Sequence, residues 1–315
     1  MLLKTIAKIS CFVILSALCS GIFTSCAFVS NPNKFAADSL YTPPKIIGKI
    51  KSADVTEASG FAASLCQQNV FWTHNDSGDD SYLFAFDLGG ENLGTWRVAN
   101  IQNIDWEDIA LFKDKTGKCF IYIGEIGDNK LQRREHAIYR VAEPTVSDTT
   151  KSSTKKNSLP IDTHEVIRFV YPDFNQDAET LMIEPKSGDI YVVTKRVSGP
   201  AGVYRLKATF GGAETQLAEK ITEIAVPAIP NGLITGGDIS PDGKRVAVCD
   251  NFQAYEWALP ETATTFDEIW KQSLVLIDLG KRTNGEAIAY SPSGESIYAT
   301  SEGRNPPLIE VKRKN

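Results

Sequence analysis

From residue 45 onward the chain alternates short apolar runs with glycine- and asparagine-marked turns, and the same unit recurs five times. Its clearest element reads apolar–apolar–charged–apolar: A-F-D-L at 85–88, I-Y-R-V at 138–141, V-Y-R-L at 203–206, A-Y-E-W at 254–257 and L-I-E-V at 308–311. Each is preceded by a nearly continuous apolar run, such as F-I-Y-I-G-E or I-Y-V-V-T-K, of the kind found in strands covered on both faces. Four of those runs follow a turn in which Gly117, Gly188, Gly243 or Gly294 can adopt positive φ, and Asn69 takes the equivalent place in the first unit.

A further strand precedes each turn: E-A-S-G-F from Glu57, D-W-E-D-I from Asp105, D-A-E-T-L from Asp177, T-G-G-D-I from Thr235 and N-G-E-A-I from Asn284. A fourth strand follows in most units. Five repeats of four antiparallel strands predict an all-β propeller, with six blades as the alternative count. The last unit has too few residues after Val311 for a fourth strand. The otherwise unpartnered I-I-G-K-I-K at 46–51 is therefore expected to complete it and close the ring, which removes two open edges. The polar stretch at 144–157 is expected to be a long loop within the second blade.

The amino terminus changes the picture from a soluble propeller to an exported one. Lys4 and Lys8 precede an apolar stretch ending near Phe23, too short for a membrane span, so residues 1–25 are expected to be a signal peptide. I-F-T-S-C-A at 22–27 resembles a bacterial lipobox, with Phe23 where leucine is usual. Cys26 is then the lipidation site, residues 26–44 carry it and the tether, and residues 45–315 form one domain. The expected location is the bacterial cell envelope, anchored on the periplasmic or outer-membrane side. The net charge of -6 becomes more negative once Lys4 and Lys8 are removed, and no basic run lies on an aromatic face. Nucleic acid is excluded as a partner on that ground, and a monomer is expected.

Three cysteines remain in the body: Cys66, Cys119 and Cys249. An odd count excludes a complete disulfide framework, and the strand contexts of Cys119 and Cys249 suggest small core residues. His74, His136 and His164 are far apart with no metal-binding spacing, so a zinc site is not expected.

Chemistry is expected at the channel mouth, where the start of each innermost strand lies beside the end of its antiparallel neighbour. The strand starts bring Glu57, Asp105, Glu107, Asp177, Glu179 and Glu286 as candidate metal ligands. Gly236 and Gly237 break the pattern in the fourth unit and leave Asp238 one place late. The neighbouring loops bring Asp76, Asp128, Asn129, Lys195, Arg196, Asp250, Asn251, Glu302 and Arg304 as candidate ligand-binding residues. Two carboxylates at 4 Å repel by about 4 kcal/mol at an effective dielectric of 20. Such a cluster calls for protonation, basic partners or a cation, and oxygen-only ligands suit calcium or magnesium. The alternative is that these acids bond backbone N–H groups of the adjacent blade.

The segments Glu57–Phe61, Asp105–Ile109, Asp177–Leu181 and Asn284–Ile288 resemble the inner strands of the SdiA-regulated and phytase-like propellers. That resemblance implies an acidic face holding calcium and phosphate, with Glu107, Glu179 and Glu286 as cation ligands. The chain departs from that pattern by having Asp, Thr or Ala where glycine often follows the acid. Two functions follow: a lipid-tethered propeller binding a cation, small polar ligand or envelope partner, or a calcium-dependent hydrolase of phosphate esters or lactones. For the second, His74, Glu107 and Glu125 are the candidate catalytic bases, since no G-x-S-x-G nucleophile motif is present. Binding is preferred, because the resemblance alone argues for a reaction.

Overall fold

Each blade buries both of its faces, and the reason is visible in five separate apolar clusters, one at every blade-to-blade contact. Trp72 and Trp96 of the first blade pack with Trp106, Ile121 and Ile123 of the second. Tyr122 and Phe169 meet Leu181 and Val192 of the third, and Tyr191 and Val203 meet Val248 and Trp257 of the fourth. Cys249 and Ile277 meet Ile288 and Ile309 of the fifth, and Tyr298 and Leu308 return to Phe61, Phe71 and Phe86 of the first. Fully burying one such side chain contributes about 1.5–3 kcal/mol, so the ring is held by its interfaces more than by any one sheet.

The computed structural model describes residues 40–314. Its strands form a five-bladed β-propeller. The innermost strands are Ala58–Ala63, Trp106–Lys113, Ala178–Ile183, Gly236–Ile239 and Ala287–Tyr290, and each touches the next around the axis until the last meets the first. The expected turn residues Asn69, Gly117, Gly188, Gly243 and Gly294 all have positive φ. Lys45–Lys49 pairs antiparallel with Pro307–Lys312 and supplies the fourth strand of the last blade, as the repeat predicts.

The seam begins earlier in the chain than residue 45. Tyr41 is buried and bridges to Arg313, and the Thr42 N–H donates to the Lys312 carbonyl. Residues expected to be the end of a free tether thus hold the ring closed.

The stretch at 144–157 is likewise more than a loop. The Thr150 hydroxyl donates to the Leu93 carbonyl, the Ser153 hydroxyl accepts from the Thr95 N–H, and Leu159–Ile161 pairs in parallel with Asn92–Val98. An excursion from the second blade covers the outer edge of the first. Gln216–Leu217 extends the second blade in the same way, from the third.

One expectation about the cysteines is overturned. Cys66, in the turn after the first inner strand, is disulfide-bonded to Cys119 of the second blade, so Cys119 is a cross-link and not a core filler. An odd count permits one bridge and one free thiol, and the bridge joins a turn of the first blade to the start of a strand, Cys119–Glu125, in the second. Cys249 is free and buried, as expected, and burial pushes its thiol up to about 11. Cys26 and the signal peptide lie outside the described residues.

Candidate functional site

Innermost strands begin, and second strands end, on the same face of the ring. The structure gathers there the carboxylates of Asp76, Asp105, Glu107, Asp177, Glu179, Glu286 and Glu302, with Lys195 among them. Single oxygens of Asp76, Asp105 and Glu107 all lie within 4.8 Å of one another. Gly127 turns the chain against this group: a Cβ there would sit 2.2 Å from Glu107 Oε1 and 2.6 Å from Asp105 Oδ2, so a side chain would displace the carboxylates.

Desolvation dominates the electrostatics. Burial, then the charges of Asp76 and Asp177, push Asp105 up to about 6. Burial raises Glu107 well above the ordinary carboxylate range, with Asp76, Asp105 and Asp177 adding to it. Asp76 and Asp177 are raised chiefly by burial, and Glu286 by burial and by its bond to Glu302. Lys195 opposes these shifts at Asp76, Glu107, Asp177 and Glu286, and Arg133 opposes that at Asp105.

Glu57 is exposed, and its carbonyl accepts the Asp76 N–H at 3.0 Å. Other candidates are committed to local structure. Glu125 accepts the N–H groups of Ile104 and Asp105 and the guanidinium of Arg133. Asp128 accepts from the N–H groups of Gln132 and Arg133, while its own N–H donates to Asp177 at 2.7 Å. Asp250 accepts from the Phe252 and Gln253 N–H groups and the Tyr255 hydroxyl. Asn251 receives the Gly285 N–H on its carbonyl, and Arg196 lies over the Phe174 ring. Asn129 and Arg304 are exposed. His74 is buried edge-on against Trp106, with Nδ1 on the Asn75 carbonyl, and burial lowers its pKa to about 4.

The expected alternative, bonding to backbone N–H groups of the adjacent blade, is taken by Asp177, which accepts from Asp128, and by two further acids. Asp108 accepts from its own blade at Ile109 and from the next at Leu181. Asp238 does the same with Ile239 and Tyr290. Asp238 is therefore in the Asp108 position, one place after the Glu107 slot, as the sequence places it. The adjacent Gly236 is there because a Cβ would lie 2.3 Å from the Glu286 carbonyl oxygen of the fifth blade. Asp76 reaches the Asp105–Glu107 pair from the first blade, a placement that the sequence marks only by H-N-D closing its second strand.

Six large apolar side chains stand exposed on the loops of this same face. Leu131, Val197 and Phe252 follow second strands, and Ile104, Phe174 and Ile229 precede inner ones. Four of these loops touch in series: the Asn175 side chain donates to the Leu131 carbonyl, and Arg196, which lies over the Phe174 ring, pairs with Gly232.

No known family matches the sequence, and no curated protein does. Among solved structures, a gluconolactonase from Xanthomonas campestris is similar over 87% of this chain and 95% of its own, at 13% identity and a TM-score of 0.45.

Proposed function

We propose that the axial face binds a divalent cation through Asp76, Asp105 and Glu107, and through it a small polar ligand or an envelope partner. The observation that carries this reading is the three-carboxylate group with oxygens within 4.8 Å. Calcium–oxygen distances are about 2.3–2.6 Å, so oxygens on opposite sides of one ion stand about 4.6–5.2 Å apart, and nearer ones closer. The donor set is all oxygen, which suits calcium or magnesium over a transition metal. Asp177, Glu286 and Glu302 add their negative charge to the group. A bound cation would offset the burial and mutual repulsion that raise Asp76, Asp105 and Glu107 and would polarise an oxygen of the ligand. The exposed apolar loop tips on the same face support contact with a larger partner.

The cell-envelope location remains part of the proposal, with Cys26 as its anchor. The Cys66–Cys119 bridge supports it, since structural disulfides persist in oxidising compartments.

Titration of chelator-treated protein with calcium, magnesium and manganese in a calorimeter tests the reading. Saturable binding is expected, lost in Glu107→Gln. Absence of heat and of any melting shift with all three ions would sink it.

Hydrolysis of a lactone or phosphate ester at this face is the second reading. It is favoured by Asp105, a carboxyl that exchanges its proton near pH 6, within range of general acid–base work. A substrate panel with and without calcium, repeated with Asp105→Asn, decides it: turnover that ignores the substitution counts against this site.

A further inference from the structure

We propose that Lys195 is a resident counter-ion of the axial pit, whose ammonium group competes with the divalent cation and so sets how tightly the pit takes one. The proposal rests on the reading of the pit as a cation site and goes beyond it by assigning the residue that tunes it.

The placement of Lys195 is built into the blade. It follows the second strand Ile190–Thr194, and its N–H donates to the Asp177 carbonyl at 2.9 Å, which fixes its backbone beside the inner strand. Its ammonium pairs with Glu179 Oε1, and the side chain is 22% exposed. The other oxygen of Glu179 is buried and has no hydrogen-bond partner among the described residues. Glu179 itself is only 4% exposed, and Glu107 only 3%. The second oxygen of Glu179 is thus an acceptor taken out of water and left unfilled, a state that costs free energy unless a positive group serves it.

One ammonium cannot serve every acid of the pit. It has three donors and a single charge, against seven carboxylates contributed by four blades. Its field still reaches Asp76, Glu107, Asp177 and Glu286, across the whole pit. A lysine is suited to this role because its charge is compact and rides on a flexible stem, so it can withdraw when a stronger cation arrives. A divalent ion entering beside Asp76 and Glu107 meets an ammonium already drawing on the same carboxylates. Lysine and cation then compete, and deleting the lysine charge must favour the cation.

Calorimetric titration of calcium into the chelator-treated full chain tests this, comparing wild type with Lys195→Met and Lys195→Arg. The methionine variant is expected to bind calcium at least tenfold more tightly, and the arginine variant to stay close to wild type. A wild type that binds while Lys195→Met binds no tighter leaves the cation site standing and overturns the role of Lys195. Failure of both to bind removes the cation reading and this one together. Should the methionine variant not fold, the wild type carries a second test. Acylation of Lys195 by an amine-reactive reagent, read on its peptide by mass spectrometry, is expected to be faster in calcium than in chelator. Equal or slower labelling in calcium overturns the proposal.

Discussion

The Tyr41 hydroxyl donates to Glu256, 215 residues further along the chain, and Tyr290 donates to the same carboxylate oxygen at 2.6 Å. Arg313 binds the other oxygen at 2.7 Å. One buried carboxylate thus ties the amino-terminal segment, the fourth blade and both ends of the fifth. A hydrogen bond to a charged group contributes about 1.5–3 kcal/mol, and Tyr41→Phe is expected to cost that much. Removing residues 1–39 should leave the melting temperature nearly unchanged, removal through 44 should lower it clearly, and removal through 52 should abolish folding. Equal melting of the first two truncations would show that Tyr41 does not hold the seam.

The Cys66–Cys119 bridge closes a loop with a sequence separation of 53. Restricting an unfolded loop of that size stabilises the native state by about 4 kcal/mol on the chain-entropy relation. Cys66→Ser with Cys119→Ser is expected to lose a comparable amount in urea unfolding, and added reductant should destabilise the wild type but not the double variant. A reductant effect of equal size on both proteins would contradict the bridge.

Asp105 is expected to reverse its effect on stability when calcium is added. Its carboxyl is raised in the folded state, so its contribution is present below the ordinary carboxylate range and is lost as pH rises through about 6. In chelator at pH 7.5 the charged Asp105 is therefore a burden, and Asp105→Asn should raise stability by about 1–2 kcal/mol. At pH 4 the two proteins should melt together. In millimolar calcium the wild type should gain and the variant should not. A lower melting temperature for Asp105→Asn in chelator at pH 7.5 would show that the carboxylate is structural.

His136 carries the opposite pH dependence. Its ring packs against Phe169 and Tyr171, both nitrogens are buried without partners among the described residues, and burial lowers its pKa to about 4. Its contribution is present above about pH 6.5 and lost as pH falls through 4. His136→Phe keeps the packing and removes the titration. The difference in melting temperature, variant minus wild type, is expected to grow in the variant's favour as pH falls from 6.5 to 4. A difference independent of pH would show that this imidazole does not titrate on unfolding.

The repeat was legible in the chain because each blade needs both faces apolar, and that need prints a run such as F-I-Y-I-G in every second strand. The closing strand was legible too, since an unpaired edge and an unpartnered apolar segment imply each other. Local pattern also placed Asp105, Glu107, Asp177, Glu179 and Glu286 together on one face, because strand starts share one end of the ring. What tertiary structure alone decided is which of those acids face one another. Asp76 joins Asp105 and Glu107 from a loop of another blade, whereas Glu125, Asp128 and Asp250 turn to backbone N–H groups beside them. Such choices depend on which donor lies nearest once the chain is folded, and so does the bridge from Cys66 to Cys119. Hydrophobic periodicity is a property of neighbours along the chain and survives in the sequence. Pairing across blades depends on distances of a few ångströms between segments far apart in the chain, and those exist only when the ring is closed.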